Sequence, residues 1–422
     1  MEALQRRDSD ISLAFFQEVL GQSDPDIQLT SVQVSEASGR GDNYTSMVYR
    51  VRATGTRNKQ PWSKSFVYKC LPTSRIRREA FKSDALFLNE VSFYTRVLPA
   101  MLKFQASRGC DDFNEVPKVF LAKEDVLVLE DMKQRQYVMA DRKKFLNVEH
   151  CEAVVKALAK FHGLSLGMKS LEPELFQSEV VDSVTECLFK TENEEWYRDY
   201  YKSATENAVE FVKECLVTTE DRTKYLDKFE NFLDESFFGR MVRLVQPEEP
   251  ISVVCHGDCW TNNILFKYTE TGQLSRVGLC FLDFQLIRYG SPALDLVNFL
   301  YVCTSSVLRS SHMNYLIGVY CDTLKGFLLK LGSSSDLFGG LDFTEIIHRE
   351  IHRCGKFGLG LAVDMIPIST CDSDQAPDLY ADVADENSEG EGESEKPVWT
   401  KSEVCRRRMT DLVQELIDKG DL

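Results

Sequence analysis

Polar residues crowd into one short stretch of this chain, between two apolar runs. Val254 to Phe266 reads VCHGDCWTNNILF, and it places His256, Asp258 and Asn263 within eight residues. The apolar flanks ISVV and ILF predict short strands that fix a loop between them. Transfer of a phosphoryl group needs a carboxylate that orients and deprotonates the attacking hydroxyl, and a neutral oxygen ligand for a metal that bridges the phosphates. Asp258 and Asn263 suit these two roles.

A second carboxylate follows a short apolar strand further along the chain. The segment GLCFLDFQLIRYG delivers Asp283 at the end of that strand, followed by Phe284. A carboxylate at a strand end projects into a cleft, and Mg²⁺ typically takes one or two carboxylates together with phosphate oxygens. Asp283 is therefore the predicted principal metal ligand.

Earlier in the chain, a lysine and a glutamate are spaced like an ion pair between a strand and a helix. Lys69 lies in the predicted strand FVYKC, and Glu90 follows on an amphipathic helix. A lysine that contacts nucleotide phosphates is commonly held by a carboxylate on a neighbouring helix. Upstream, GRGDNYTS places Gly39 and Gly41 between two predicted strands, where exposed backbone amides can approach a phosphate closely.

Each of these motifs also has an ordinary structural interpretation. An isolated HGD arises by chance, an LDF strand end usually carries a solvated aspartate, a strand lysine usually faces solvent, and two nearby glycines more often form a hairpin turn. Cys255, His256 and Cys259 suggest zinc, but they lack the regular paired spacings of a zinc site. The order of the motifs along the chain favours the functional interpretation over coincidence.

Length and charge narrow the class of protein. The 422 residues are 43% hydrophobic and 11% aromatic, enough for a large core in one two-lobed unit or two domains. Of the net charge of −16, ten acidic residues against one lysine between Asp372 and Lys396 contribute −9, which leaves −7 for the rest. A duplex-binding protein usually carries a basic stripe, so nucleic acid is not expected as a partner.

Three further features concern the cellular compartment. The N-terminal MEALQRRDSD lacks an apolar signal region, and no apolar run approaches the length of about eighteen residues that a membrane span needs. The thirteen cysteines follow no framework of regular spacings, which is typical of reduced thiols. We therefore expect a cytoplasmic protein without a membrane span.

Hydrophobic periodicity predicts an α+β fold. A helix over SDISLAFFQEVLG that ends at Gly21 is followed by a small antiparallel sheet and by a helix that Pro99 closes. The strand VLVLE is apolar on both faces and is expected to be central. A boundary near Asp131 separates residues 1–130 from a mainly helical part, 131–422. Within the latter, 371–397 are expected to be a disordered acidic loop and 398–420 a helix that packs on the body.

In combination the motifs resemble the protein-kinase-like superfamily. The aminoglycoside and choline phosphotransferase branch is the nearer one, because HGD stands where protein kinases have HRD, and DFQ where they have DFG. The chain is most similar to the ecdysteroid kinase-like family, also called CHK kinase-like. The similarity covers about residues 10 to 370 and extends to the last helix. It rests on GRGDNYTS, FVYKCLP, NEVSFYTRVLP, LVLEDM, ALAKFHGLSL, CHGDCWTNNILFKY and FLDFQLIRYGSPALDLVNFLY.

The resemblance implies a bilobal fold and a role for each matching residue. The small lobe, 1–130, would bind ATP, and the larger lobe, 131–422, would carry the catalytic loop and the acceptor site. Asp258 would be the catalytic base, and Asn263 and Asp283 would bind Mg²⁺. Asp295, in SPALDL, would steady the catalytic loop from a buried position.

Nucleotide contacts are implied for three further regions. Lys69 would contact the ATP phosphates, and Glu90 would hold Lys69 in place. The loop from Gly41 to Ser46 would cover the nucleotide, and Glu130 to Met132 would form the hinge whose backbone receives adenine. The implied cofactor-binding residues are Gly41, Asn43, Tyr44, Ser46, Lys69, Glu90, Glu130 and Met132.

The expected function is that of an ATP- and Mg²⁺-dependent small-molecule kinase, a monomer that phosphorylates a hydroxyl of an ecdysteroid or another lipophilic alcohol. The alternatives are choline- or aminoglycoside-type phosphotransfer, detoxification of xenobiotic hydroxyls, and a catalytically silent scaffold. Helices from about Val180 to Val245 would shape the acceptor pocket, with Trp260 either lining it or packing. His256 is expected to be structural rather than a proton carrier, and His162 to belong to the core.

Overall fold

An antiparallel sheet of five strands forms the N-terminal lobe. The computed structural model describes residues 11–37, 45–334, 340, 342–371 and 402–422. The strands run in the order β1-β2-β3-β5-β4 and pair antiparallel throughout. Their bounds are β1 Ile27–Glu36, β2 Met47–Arg57, β3 Gln60–Cys70, β4 Val119–Lys123 and β5 Val126–Glu130. The strand VLVLE is β5, which lies inside the sheet between β3 and β4.

A helix, α1 (Leu13–Ser23), packs against this sheet. Ser12 caps the helix by accepting a hydrogen bond from the backbone N–H of Phe15. The predicted end at Gly21 is wrong, because Gly21 does not adopt the left-handed conformation with which glycine ends a helix. The helix continues to the point where the backbone of Asp24 becomes extended.

Three helices connect β3 to β4, namely α2 (Arg75–Ala80), α3 (Ser83–Ser92) and α4 (Leu98–Ser107). A wider π-helical turn, Phe93–Val97, joins α3 to α4 without a break. The prediction that Pro99 closes the helix is wrong, because Pro99 lies in the first turn of α4. Pro99 follows directly on the wider π-helical turn, where the backbone hydrogen-bond pattern changes, so the missing N–H of proline does not end the helix.

The rest of the chain is mainly helical and is built around α5 (Val148–Leu171), a helix of 24 residues that is largely buried. The other helices are α6 Pro173–Leu175, α7 Glu194–Cys215, α8 Thr219–Asp221, α9 Asp227–Phe232, α10 Phe237–Leu244, α11 Ala293–Cys303, α12 Ser306–Lys330, α13 Phe343–Thr370 and α14 Glu403–Lys419. Two small sheets contain β6 Tyr137–Met139, β7 Val253–Cys255, β8 Ile264–Tyr268, β9 Leu274–Phe281 and β10 Arg288–Gly290.

Two hydrophobic clusters give the molecule its bilobal α+β character. The smaller one lies between α1 and the five-stranded sheet and contains the fully buried Phe16, Val51 and Phe66. The larger one fills the helical part around α5. The predicted fold class is confirmed, and the boundary near Asp131 stays a prediction.

The C-terminal region is described in part. The acidic loop predicted for 371–397 falls, apart from Cys371, on residues 372–401, which lie outside the described residues. The helix predicted for 398–420 corresponds to α14, where Ser402 accepts a hydrogen bond from the backbone N–H of Cys405. This helix packs against α7 and α13.

The cysteines are all unpaired. Thirteen free thiols are present, and all of them except Cys215 are buried. Burial raises the pKa of the Cys255 and Cys259 thiols well above their usual range, so both are neutral. None of the helices in the described ranges combines the length and the apolar character that crossing a bilayer requires.

Candidate active site

The loop after β7 presents Asp258 next to a glycine that the backbone requires. Gly257 has a φ of +84°, and a Cβ at this position would lie 1.8 Å from the carbonyl oxygen of Leu286. Only glycine avoids both the strain and the clash. After Asp258 the chain makes a tight turn at Thr261–Asn263 and enters β8 at Ile264.

Asp295, in the first turn of α11, anchors this loop. Its Oδ2 accepts a hydrogen bond from the backbone N–H of His256 at 2.6 Å, and its Oδ1 accepts one from Gly257 at 2.8 Å. His162 lies 3.1 Å from the same carboxylate, and the hydroxyl of Tyr320 lies 2.9 Å from the other ring nitrogen of His162. Burial would raise the pKa of Asp295, but these partners outweigh it and lower that pKa. The contacts agree with the structural roles predicted for Asp295 and His162.

This anchor also contains the one group of metal-binding residue types found in the described part of the chain. The ligand atoms of His162, Cys255 and Asp295 lie within 4.8 Å of one another. Both Asp295 oxygens already accept backbone N–H groups, and the buried Cys255 thiol is neutral, whereas a metal binds the thiolate. The group is therefore a hydrogen-bonded anchor, and Cys255, His256 and Cys259 form no zinc site among the described residues.

Asp258 and Asn263 are in direct contact across the loop. The Nδ2 of Asn263 donates to Asp258 Oδ2 at 2.7 Å and to the Asp258 backbone oxygen at 3.0 Å, which leaves Asn263 Oδ1 for another ligand. Burial, together with the charge of Asp283, raises the pKa of Asp258 to about 7. The Asn263 bond and the charge of Arg288 act in the opposite direction. Asp258 therefore changes its protonation state near neutral pH.

Asp283, Lys69 and Glu90 meet at one point although they come from three separate elements. The Lys69 Nζ lies 2.6 Å from Glu90 Oε2 and 2.6 Å from Asp283 Oδ1. Burial alone would lower the pKa of Lys69, but the two carboxylates outweigh it and raise that pKa, so the lysine is charged. The pairing predicted from the sequence for Lys69 and Glu90 is present.

The backbone around Asp283 is fixed by its neighbours. Asp283 adopts a left-handed conformation with φ of +64°, and the preceding Leu282 donates its N–H to the backbone oxygen of Asn263 at 2.9 Å. His256 lies 3.0 Å from the Leu282 oxygen through Nε2, and its Nδ1 accepts from the Asp258 N–H at 3.3 Å. Burial lowers the pKa of His256, so the ring is neutral. Both ring nitrogens are used, in agreement with the structural role predicted for His256.

A cavity of about 400 Å³ lies between the sheet and these polar groups. At one end it is lined by Lys69, Glu90, Asn263 and Asp283. The rest of its wall is mainly apolar and includes Val48, Val67, Leu129, Tyr137, Val138, Met139, Leu265 and Leu282. A cleft with an apolar wall and a few convergent polar groups is the usual form of a small-molecule site.

The segment predicted as a hinge forms one edge of the cavity. Glu130, Asp131 and Met132 line it, at the junction of β5 and the following turn. Asp131 is held by Arg50 of β2, whose Nε donates to its Oδ2 at 2.8 Å, and by the N–H of Lys133. Sequence reasoning missed the contact between Arg50 and Asp131, because Arg50 lies on β2 and Asp131 follows β5, 81 residues later.

The loop between β1 and β2 is described at its C-terminal end. Gly41, Asn43 and Tyr44, which were predicted to contact the nucleotide, lie outside the described residues. Ser46 is 3% exposed, and its hydroxyl has no hydrogen-bond partner among the described residues. Its neighbour Thr45 donates from Oγ1 to Gln285 Oε1 at 2.7 Å, a contact that sequence reasoning missed.

Aromatic side chains cluster in the helical part near Asp258. Burial raises the pKa of Tyr201, and the charges of Asp364 and Asp258 act in the same direction. Tyr201 stacks on Tyr197 with ring centroids 4.1 Å apart. The aromatic cluster, as the term is used below, consists of Phe189, Tyr197, Tyr201, Phe237 and Phe238. All five are buried.

A charged side chain borders this cluster, and Trp260 lies elsewhere in the same hydrophobic interior. Arg288, on β10, is buried and donates to Glu186 at 2.6 Å, and its guanidinium lies 5.5 Å from the centre of the Phe189 ring. Trp260 is 9% exposed and belongs to the large hydrophobic cluster, so it packs in the interior.

Oxygen donors are available for a divalent cation at the polar end of the cavity. Asp283 offers a carboxylate and Asn263 a carboxamide oxygen, and hard cations such as Mg²⁺ prefer oxygen ligands of these kinds. The donor set therefore fits Mg²⁺.

The fold and the family match together make the chain a small-molecule phosphotransferase, a kinase with a hydroxyl group as acceptor. The sequence profile of the ecdysteroid kinase-like family matches residues 40–333, and the chain belongs to that family. This confirms the family proposed from the motifs.

Similar solved structures include small-molecule kinases of low sequence identity. An ethanolamine kinase from Plasmodium vivax is 14% identical, with coverage of 93% of this chain and 84% of that one and a TM-score of 0.39. A choline kinase from Cryptosporidium parvum is 12% identical, with coverage of 97% and 98% and a TM-score of 0.44. Spectinomycin phosphotransferase in complex with ADP and spectinomycin is 11% identical, with coverage of 85% and 88% and a TM-score of 0.38. A search of curated proteins gave no match.

Proposed function

We propose that the protein transfers the γ-phosphoryl group of ATP, with Mg²⁺, to a hydroxyl of an ecdysteroid or another lipophilic alcohol. The observation that carries the proposal is the meeting of Lys69, Glu90 and Asp283 at one end of the cavity, with Asn263 beside them. A charged lysine held by a buried carboxylate is the arrangement that a triphosphate requires.

In this proposal the nucleotide lies along the cavity. Lys69 contacts its phosphates and Glu90 keeps the lysine in position. The backbone from Glu130 to Met132 receives adenine, and the loop that contains Gly41, Asn43, Tyr44 and Ser46 covers the phosphates. Asp283 and Asn263 would hold Mg²⁺, which neutralises charge on the phosphate oxygens when bound.

Asp258 is the proposed general base. It would accept the proton of the acceptor hydroxyl while the oxygen attacks phosphorus. A base works best when its pKa lies near the operating pH, and the pKa of Asp258 is raised to about 7. Asn263 orients the carboxylate through the bond at 2.7 Å.

The aromatic cluster supports a lipophilic acceptor. Its rings come from the segment between about Val180 and Val245 that is expected to shape the acceptor pocket, and in the proposal the buried Tyr197 and Tyr201 form the apolar layer behind the acceptor. A choline-like acceptor is the second candidate, because aromatic faces with a nearby carboxylate, here Asp364, also suit a quaternary ammonium group. The free thiols favour a reducing compartment such as the cytoplasm, where the enzyme would act as a monomer.

A screen of acceptors tests the proposal. The protein would be incubated with Mg-ATP and with hydroxylated steroids, xenobiotic alcohols or choline, and each mixture examined by mass spectrometry for a gain of one phosphoryl group. We expect phosphorylation of a steroid or a similar alcohol by the wild type and its loss in Asp258→Asn. A protein that shows no Mg-dependent thermal shift with ATP would favour the catalytically silent scaffold instead.

A further inference from the structure

Asn89, the residue before Glu90 on α3, is buried and uses its whole side-chain amide. It is 4% exposed. Its Nδ2 donates to the backbone oxygens of Gln285 and Ile287, both at 3.0 Å. Its Oδ1 accepts from the backbone N–H of Thr185 at 3.1 Å. A carboxamide offers two N–H donors and one oxygen, so each of these groups has a partner.

The first two bonds fasten α3 to the segment that follows Asp283. Glu90 contacts the same segment, because its Oε1 accepts from the backbone N–H of Phe284 at 3.3 Å. The Phe284 ring stacks on Phe93, directly after α3, with centroids 3.8 Å apart. Two adjacent residues, Asn89 and Glu90, thus bind the backbone just after Asp283, so hydrogen bonds fix the separation of α3 from that carboxylate.

The third bond fastens α3 to the helical part of the molecule, and two further contacts lie beside it. Thr185 is the partner of Asn89 in that part. The Ser92 hydroxyl, at the end of α3, donates to the backbone oxygen of Ser183 at 2.7 Å. The Cys187 thiol donates to the backbone oxygen of Ala85 at 3.6 Å. The helix that carries Glu90 is therefore attached to one short segment at three positions.

Lys69 depends on this arrangement because it is shared between two carboxylates. Its Nζ lies 2.6 Å from Glu90 Oε2 and 2.6 Å from Asp283 Oδ1. Hydrogen bonds weaken steeply with distance, so a shift of α3 by about 1 Å away from Asp283 would leave Lys69 in good contact with one carboxylate only. The position of α3 therefore decides whether the lysine keeps both partners.

We propose that Asn89 is a positioning residue that holds Glu90 and Asp283 at the separation at which Lys69 contacts both. The proposal rests on the proposed function, since it assumes that Lys69 binds the phosphates of Mg-ATP. Asn89 itself touches neither nucleotide nor acceptor and acts through Glu90. Its loss should weaken the binding of a triphosphate and leave adenosine unaffected, because adenosine carries no phosphate.

Asn193 supplies a matched control. It is also 4% exposed, and its Nδ2 also donates to two backbone oxygens, those of Cys187 at 2.8 Å and Leu188 at 2.9 Å. Asn89→Ala and Asn193→Ala therefore remove the same groups from equally buried positions. Melting curves of both variants would set a temperature at which both are folded, and binding would be compared there.

The test compares triphosphate with nucleoside. Dissociation constants for Mg-ATP and for adenosine would be measured by calorimetry on the full chain and on Asn89→Ala, Asn89→Ser and Asn193→Ala. Loss of one or two net hydrogen bonds corresponds to roughly 3- to 30-fold in affinity. We expect a loss of this size for Mg-ATP in Asn89→Ala, a smaller one in Asn89→Ser, which keeps one donor, and wild-type affinity in Asn193→Ala. Adenosine should bind all four proteins equally. Asn89→Ser alone decides the question if the alanine variant does not fold.

A double variant examines whether Asn89 acts through Glu90. If it does, Asn89→Ala adds no further loss of Mg-ATP affinity to Glu90→Gln, because the contact that it positions is already gone. Additive losses, an equal weakening of adenosine, an equal loss of Mg-ATP affinity in Asn193→Ala, or wild-type affinity in the Asn89 variants would each overturn the positioning role. A wild-type protein that binds no Mg-ATP would instead overturn the proposed function, so the two failures are distinguishable.

Discussion

The phosphate end of the cavity and the aromatic cluster differ in how their side chains are held. At the phosphate end, Lys69, Glu90 and Asp283 come from separate elements and are fixed by short polar contacts of 2.6 Å. In the aromatic cluster, rings such as Tyr197 and Tyr201 are held mainly by packing, with centroid distances of 4.1 Å and more.

This difference has a physical consequence for what each region can tolerate. Polar contacts depend on both distance and angle, so replacing one partner leaves the other buried and unpaired. Packed rings accept another apolar side chain of similar volume at small cost. We infer that the phosphate end determines the reaction, whereas the aromatic cluster is the region in which acceptor preference can vary.

The largest effect is expected for Asp258→Asn. The amide keeps the shape of the side chain but cannot accept a proton, so kcat should fall by roughly 10² to 10⁴ while the affinity for Mg-ATP is kept. Turnover with the acceptor found in the screen and calorimetry with Mg-ATP would measure the two quantities. Asp322→Asn, on an exposed position of α12, is the matched control. Wild-type turnover in a folded Asp258→Asn would refute the role of base.

Glu90→Gln is expected to have the next largest effect. Removing a charge from a buried pair lowers the free energy of unfolding by about 3 kcal/mol, and Lys69 would then keep Asp283 as its one ion-pair partner in this site. Both the melting temperature and the affinity for Mg-ATP should fall. Glu79→Gln is the control, because Glu79 pairs with Arg75 on the exposed surface and should cost at most about 1 kcal/mol. Equal melting temperatures for the two variants would contradict this account of the phosphate end.

A smaller effect on kcat/KM for Mg-ATP is expected when the pH is lowered. Since the pKa of Asp258 in the enzyme without nucleotide is raised to about 7, the ionised form that accepts a proton is lost as the pH falls through that value. The quantity kcat/KM for Mg-ATP should therefore drop by about tenfold for each further unit of acidity. Rates measured between pH 5 and pH 9 in a constant-ionic-strength buffer would show the slope. A profile that stays flat down to about pH 5 would exclude Asp258 as the titrating base.

The smallest effect is expected in the aromatic cluster. Phe237→Leu removes part of one ring and should cost about 1 kcal/mol of stability, with a change of a few-fold in KM for a lipophilic acceptor. The affinity for Mg-ATP should not change, which separates this variant from those at the phosphate end. A larger change in Mg-ATP binding than in acceptor KM would show that the two regions are not independent.

Local patterns in the sequence were sufficient to predict those site residues whose positions follow from the order of strands and helices along the chain. A strand lysine, a helix glutamate and a strand-end aspartate predicted that Lys69, Glu90 and Asp283 serve one site, because strands and helices carry their side chains in fixed directions. Gly257 could be recognised as part of a tight loop, but the close approach of Leu286 required the structure.

Contacts between distant segments could not be predicted from the sequence. Thr45 with Gln285 and Arg50 with Asp131 involve ordinary residues whose meeting depends on how segments 240 and 81 positions apart pack together. The errors at Gly21 and Pro99 have a related origin. Both residues are statistical ends of helices, but each acts as an end only in a particular backbone conformation, which the neighbouring residues decide.

Because its cysteines are buried, the protein's unfolding can be measured by labelling its own thiols. Of thirteen thiols, Cys215 alone is partly exposed, so a maleimide should modify the native protein at a single position. The other twelve become reactive only when the surrounding structure opens. The fraction of chains that carry more than one label then measures the fraction of molecules that have opened. Mass spectrometry of a labelled sample would thus separate a variant that has lost its chemistry from one that has lost its fold.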